Sequence, residues 1–264
     1  MKYNSKNKLR VFTAFSGYDS QKIALNRLKE EYPEFDFECV GWSEIDESAI
    51  IARDVLFQED KGKNYGDICK IDWEQVPDFD LFTYSWPCTD VSNAGRQAGF
   101  DKGSGTRSSL LWECERAVEI KRPKYLFMEN VSALIQKKFI SGFHRWLNIL
   151  ENYGYYNNWD VLNASDFGVP QNRKRVFCIS ILRTEEEPEP RFYFPSTRPL
   201  ELRLADILQE EVEDKYFLSD EMLARFCEKS IEEEGKDGTS LSNEIEDEEE
   251  YEDDNDFESF FVAN

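Results

Sequence analysis

Leu9-Arg10-Val11-Phe12-Thr13-Ala14-Phe15 is a short apolar run rich in strand formers, and it stops at Ser16-Gly17 just before a helical pattern begins. Ser20 is placed to cap that helix, with Ile23, Ala24 and Leu28 along one side. The same unit then recurs. Phe37–Trp42 (FECVGW) reads as a second strand ending at Ser43-Glu44, followed by a helix through Ala49, Ile50, Arg53 and Phe57. Asp80–Tyr84 (DLFTY) is a third strand, stopped by Trp86-Pro87 because proline cannot donate to a sheet ladder. A glycine-rich loop from Gly95 to Gly105 leads into a helix from about Ser109, with Leu111, Cys114, Val118 and Lys121 at helical spacing up to Pro123. Tyr125–Met128 is a short buried strand. Phe139, Phe143, Trp146, Leu147 and Leu150 form one helix face, and Val176–Leu182 is a last strand. Strands alternating with helices predict an α/β fold, doubly wound around a mostly parallel sheet covered on both faces.

Composition sets the outer limits. The 264 residues are 40% hydrophobic and 14% aromatic, enough for a sizeable core. No run approaches the roughly 18 apolar residues of a membrane helix, and no secretory signal follows the basic N-terminus. Six scattered cysteines without a CxxC pair and a single histidine argue against a disulfide scaffold, a metal site and a histidine-based triad, and fit a reducing, cytoplasmic setting. The net charge of −22 is unevenly spread. Residues 201–264 carry 24 Asp/Glu against 5 Lys/Arg, whereas residues 1–200 carry 30 against 27, so the body is nearly neutral and has room for a basic groove. The expected organisation is a catalytic domain over 1–200, a short helical extension over 201–230, and an acidic, disordered tail over 231–264.

In a doubly wound sheet, ligands sit beyond the carboxyl ends of the strands. Chemistry-bearing residues gather at those ends here. The first turn, Phe15-Ser16-Gly17-Tyr18-Asp19-Ser20, is of a kind common in α/β proteins, and Glu44 follows the second strand, where a carboxylate can hold ribose hydroxyls or be an ordinary acidic loop residue. Gly66-Asp67-Ile68 suits either an adenine contact or a plain turn. Ser85-Trp86-Pro87-Cys88-Thr89-Asp90 puts a thiol in a loop, where cationic neighbours can activate it as a nucleophile; a buried free cysteine is the alternative. Glu129 in Met128-Glu129-Asn130-Val131 directly follows an apolar strand, and a shielded carboxyl there can hold a proton. In Gln171-Asn172-Arg173-Lys174-Arg175, alternation points Gln171, Arg173 and Arg175 to one side, to hold a phosphate or the Glu129 carboxylate.

Taken together, these motifs resemble the DNA (cytosine-5) methyltransferase family of bacterial and phage restriction-modification type. The resemblance runs in order through residues 9–182 and is strongest in Pro87-Cys88, Glu129-Asn130-Val131 and Gln171-x-Arg173-x-Arg175. It implies a methyltransferase-type sheet and methyl transfer from S-adenosylmethionine, without a metal, to carbon 5 of cytosine in double-stranded DNA. It further implies that Cys88 adds to carbon 6, that Glu129 hydrogen-bonds or protonates ring nitrogen 3, and that Arg173 and Arg175 hold the base carbonyl and the glutamate. The cofactor would lie across Phe15, Ser16, Gly17, Glu44, Ile45, Asp67, Ile68 and Pro87, with Leu110 closing the far side, and the base would flip out of the duplex.

Three positions depart from the family pattern. Asp19-Ser20 replace the last two glycines of Phe-x-Gly-x-Gly-Gly, Thr89 stands where glutamine is usual, and Val91-Ser92 where Phe-Ser is common. The resemblance also implies a target-recognition domain and a Gly-Asn-x-Val segment after the sixth motif, and neither precedes Phe260-Phe261-Val262-Ala263-Asn264. A truncated gene product or a split enzyme whose second chain carries the recognition domain is expected, ahead of a deliberately shortened fragment. Two other functions stay open at this point: a non-catalytic subunit that binds cofactor or a partner, and the same chemistry on RNA.

Overall fold

The computed structural model describes residues 2–92 and 98–225. The acidic segment 231–264 and part of the glycine-rich loop, 93–97, lie outside the described residues.

Residues 1–207 form one unit built on a six-stranded sheet, in which β1 is Leu9–Ala14, β2 Phe37–Ser43, β3 Leu81–Tyr84, β4 Tyr125–Val131, β5 Tyr155–Asn163 and β6 Lys174–Leu182. Their order is β2-β1-β3-β4-β6-β5. The first four run parallel, β6 runs against β4, and β5 runs against β6, so five of six strands share one direction. The doubly wound, mostly parallel reading holds. The four main helices are α1 (Ser20–Glu31), α2 (Glu47–Leu56), α3 (Leu111–Lys121) and α4 (Ile140–Asn152).

Strand alternation divides the core. Phe12, Phe82, Tyr84, Leu126, Met128 and Cys178 face α3 and α4, where Cys114, Val118, Phe143, Trp146 and Leu150 complete one large buried cluster. On the opposite side, Leu9 and Val11 of β1 pack with Phe35, Phe37 and Leu25 of α1. One strand escaped the sequence reading. Tyr155–Asn163 (YYNNWDVLN) is too polar to declare itself, and it is held as an edge by its full-length antiparallel pairing with β6.

Two boundaries also shift. The cap of α1 is Asp19, not Ser20: its side chain accepts from the Lys22 N–H at 3.1 Å, and Ser20 is already helical. β4 continues past Met128 to Val131, because β6 supplies backbone partners opposite Glu129, Asn130 and Val131. Leu208 begins a second unit. Its described part holds one 3-10 turn, Asp214–Tyr216, and a helix from 220, in the region where a helical pair was expected.

At the amino-terminal edge of the sheet, Asp80 accepts from the Arg10 backbone N–H at 3.0 Å and from its guanidinium at 3.1 Å twice. Burial works against the Asp80 charge, yet the Arg10 hydrogen bonds hold its pKa below the usual carboxylate value. A depressed folded pKa stabilises the fold above the unfolded value of about 3.9 and loses that contribution as pH falls through the folded one. Asp80→Asn should therefore lower the melting temperature at pH 7 and show a shallower fall from pH 5 to pH 2. Parallel melting curves across that range check it.

Candidate active site

The parallel register lines up Ser43, Ala14, Tyr84 and Met128, so the residues just after β1, β2 and β3 and the last part of β4 share one rim. Because β6 is antiparallel, it brings its beginning, and not its end, to that rim.

The turn after β1 is shaped by left-handed backbone: Phe15 (φ 54°), Gly17 (φ 53°) and Asp19 (φ 66°). Glycine suits such a φ, and aspartate is among the few other residues that tolerate it. A Cβ added at Gly17 would meet nothing within 4 Å, and the same holds at Gly66, so open space lies over both. Asp19 is fixed from behind. Its carboxylate takes two hydrogen bonds from Arg53 of α2, at 2.8 and 3.1 Å, and the two side chains are 1% and 0% exposed. The Arg53 guanidinium lies 4.1 Å from the centre of the Trp42 ring. Asp60 joins this cluster through Lys22, Lys63 and Arg53. Burial raises the Asp19 pKa in spite of Arg53, and burial also pushes the neighbouring Cys39 thiol up to about 11. The departure from the glycine pattern at position 19 thus has a structural counterpart in Arg53.

Glu44, directly after β2, turns its carboxylate back to the backbone. One oxygen accepts from the Gly17 N–H at 2.9 Å, the other from Ile45 at 2.7 Å and Asp46 at 2.9 Å. With roughly four lone-pair sites on a carboxylate, acceptor capacity remains for a ligand hydroxyl. Ile45 is 69% exposed beside it, an apolar platform at the rim. Asp67 accepts from the Cys69 N–H at 3.0 Å, which is the leading cause of its lowered pKa. The Ile68 side chain is buried in the large core cluster, so this residue offers a pocket its backbone.

Cys88 is half-buried in the loop after β3, packed at the margin of the core. Two contacts hold that loop, and the sequence reading singled out neither. Asn130 of β4 donates to the Trp86 carbonyl at 3.2 Å. Ser108, wholly buried, donates to the Pro87 carbonyl at 2.7 Å and exchanges two 3.2 Å hydrogen bonds with Asp90. Asn130 was visible within Glu129-Asn130-Val131. Ser108 carried no signal, because its partners are 18 and 21 residues away.

Glu129 sits inside β4, opposite Phe177, and Arg175 sits opposite Val131. This diagonal placement brings Arg175 Nε to 3.1 Å from Glu129 Oε1, an ion pair with both side chains about four-fifths buried. Alternation does not reach Gln171 and Arg173, because β6 begins at Lys174. Both are exposed in the preceding loop, where the Arg173 N–H donates to Asn163 Oδ1 at 2.8 Å. Leu110 ends a 3-10 turn, Arg107–Leu110, and lines a cleft of about 500 Å³ with Cys69, Ser109, Glu113 and Arg116. None of the other expected cofactor contacts lines that cleft.

The rim therefore joins a half-buried thiol, an arginine-paired carboxylate and a backbone cradle closed by a second carboxylate. Among the described residues no group of three or more metal-ligating side chains converges, and no helix is long and apolar enough to cross a membrane.

Comparison with known proteins points the same way. Residues 9–262 match the family model of C-5 cytosine-specific DNA methylases. The type II methyltransferase M2.ScrFI of Lactococcus lactis subsp. cremoris is 40% identical over 267 residues, covering 82% of this chain and 72% of that protein. The orphan methyltransferase M.SssI of Spiroplasma monobiae is 36% identical over 235 residues, covering 68% of this chain and 61% of its own. The crystal structure of the S. pombe Dnmt2 methyltransferase has the same fold, with a TM-score of 0.60 at 18% identity over 84% of this chain and 66% of that one.

Proposed function

Because this chain belongs to the C-5 cytosine-specific DNA methylase family, we propose that it transfers a methyl group from S-adenosylmethionine to carbon 5 of cytosine in double-stranded DNA through an adduct at Cys88. One observation carries the reading. Glu129 is paired to Arg175 while its neighbour Asn130 fastens the Trp86 carbonyl, two residues before Cys88, so the acid and the nucleophile are fixed to the same strand end.

S-adenosylmethionine, when bound, supplies an electrophilic methyl on a sulfonium. The residues present suit it: the open space over Gly17 and Gly66 admits a ligand close to the backbone, and Glu44 retains capacity for ribose hydroxyls. Phe15, Ser16, Gly17, Glu44, Ile45, Asp67, Ile68, Pro87 and Leu110 would hold it. No metal is assigned a part.

The cytosine leaves the duplex to enter the rim. The Cys88 thiolate adds to carbon 6, and its electron pair becomes the new C–S bond. Ring electrons displaced by that bond make carbon 5 nucleophilic while nitrogen 3 takes a proton from Glu129, which the Arg175-paired carboxylate must first draw from water. Arg175 keeps the Glu129 carboxyl aimed at the ring, and the exposed Arg173 guanidinium meets the base carbonyl or a flanking phosphate. After transfer, water or another base takes the carbon 5 proton, the C–S electron pair leaves with the thiolate, and nitrogen 3 returns its proton to Glu129, which restores the ring. The setting proposed for this reaction is the cytoplasm.

Glu129→Gln tests the acid. It keeps the size of the side chain but removes the transferable proton, so methylation should slow by about 10²–10⁴-fold. Affinity for S-adenosylmethionine should stay within about twofold, since the role lies at the base. Calorimetric titration and single-turnover methylation measure the two effects. An unchanged turnover would remove Glu129 from the reaction.

A further inference from the structure

The geometry points to Asn64 as a positioning residue for the cofactor, a reading that rests on the S-adenosylmethionine site proposed above. Residues 63–65 lie along the free edge of β2: the Trp42 N–H donates to the Lys63 carbonyl at 3.1 Å, and the Tyr65 N–H donates to the Trp42 carbonyl at 2.8 Å. This short bridge stands Asn64 between two segments that otherwise belong to different loops. Its Oδ1 accepts from the Glu44 N–H at 3.2 Å and from the Gly66 N–H at 2.9 Å, while its Nδ2 donates to the Glu44 carbonyl at 3.1 Å.

One amide thus uses both acceptor sites and one donor to tie the Glu44 segment to Gly66-Asp67. Ser43 adds a single further stitch, its hydroxyl donating to the Gly66 carbonyl at 2.7 Å. Glu44 is in turn bonded to the Gly17 N–H. Gly17, Glu44, Asn64 and Gly66 form an unbroken chain of hydrogen bonds linking the three segments expected to hold the ligand. Asn64 itself is half-buried behind the rim and is not assigned a contact with the ligand. Its effect is to fix the distance between the Glu44 carboxylate and the Asp67 turn. A ligand spanning both pays in affinity when that distance is free to vary.

The test compares Asn64→Ala, Asn64→Asp and a remote control, Asn158→Ala, in the full chain. Asn158 stitches β5 to Pro190 and Phe192, away from the rim. S-adenosylmethionine affinity is read by calorimetry, fold by circular dichroism and melting, and backbone protection at Glu44 and Gly66 by hydrogen exchange. Asn64→Ala should weaken binding by about tenfold or more, with turnover at saturating cofactor nearly unchanged and faster exchange at both amides. Asn64→Asp keeps the two accepted bonds but sets an oxygen against the Glu44 carbonyl in place of the donated one, so it too should weaken binding, by about threefold or more. Asn158→Ala should bind as the unaltered chain does. If Asn64→Ala does not fold, Asn64→Asp decides: affinity equal to that of the unaltered chain overturns the assignment. Equal affinity in a folded Asn64→Ala overturns it as well. No binding by the unaltered chain at millimolar cofactor overturns the site reading itself, a distinct result.

Discussion

Cys88→Ser should abolish the covalent adduct with DNA containing 5-fluorocytosine and reduce methylation by about three orders of magnitude or more, on the scale of losing a covalent nucleophile. Fluorine at carbon 5 cannot leave as the proton does, so the elimination that frees the thiolate is blocked and the complex persists. A thiol ionises within a few pH units of neutrality, whereas a hydroxyl needs a base beside it. None is at hand. The only histidine, His144, lies on α4 against Phe143, and the Asp90 carboxylate is turned to the Ser108 N–H and the Thr89 hydroxyl. The adduct requires a flipped base and bound methyl donor, so the assay includes S-adenosylmethionine and is read on a denaturing gel. Full methylation by Cys88→Ser would end the thiolate mechanism for this chain.

Arg53→Met should lower stability by about 3–5 kcal/mol, because it strips the partner from a buried carboxylate. In a domain of this size that corresponds to a fall in melting temperature on the order of 10 °C. The native pair is held in a wholly buried setting, with Arg53 stacked on Trp42, so its removal leaves Asp19 without its main counter-charge. Asp19→Asn/Arg53→Met removes both charges and should regain most of the loss. The sign with pH follows from Asp19, whose folded pKa is raised by burial even in the native chain. A raised carboxyl favours the fold below the unfolded value and ceases to do so as pH rises through the folded one. The penalty of Arg53→Met should therefore shrink on acidification from pH 7 towards pH 4. Urea titrations of both variants at the two pH values measure it, and a single variant as stable as the double would show that the pair does not hold the turn.

The parallel half of the fold was legible because its strands are apolar runs closed by glycine or proline, as at Gly17 and Pro87. What escaped was fixed by partners distant in the chain. β5 is strand because β6 pairs with every one of its residues, and β4 outlasts its apolar run for the same reason. Candidate site residues at strand ends were legible from their position alone. Arg53 read as an ordinary helix residue until Asp19, 34 positions earlier, was placed against it. Asn64 and Ser108 act through backbone atoms, which leave no trace in residue type.

The reversed direction of β6 has a consequence for how the chain is routed. Leu182 ends this strand at the side of the sheet away from Cys88, where the Arg183 N–H bonds to the Gly154 carbonyl. At roughly 3.3 Å per residue, the nine residues of β6 carry the chain about 30 Å from the rim. Yet the Arg198 N–H donates to the Asp166 carbonyl and its guanidinium to that of Phe167, in the 3-10 turn that precedes β6. Between these points the backbone is a strap that first turns, with Thr184 and Glu187 exchanging backbone hydrogen bonds at 3.1 and 3.2 Å, and is held midway where the Asn158 side chain bonds to Pro190 and Phe192. Crossing the sheet consumes about nine residues of that strap, leaving only a few of slack. Residues 199–207 thus set out from the side of the sheet that bears Cys88 and the start of β6, and not from the side where β6 ends.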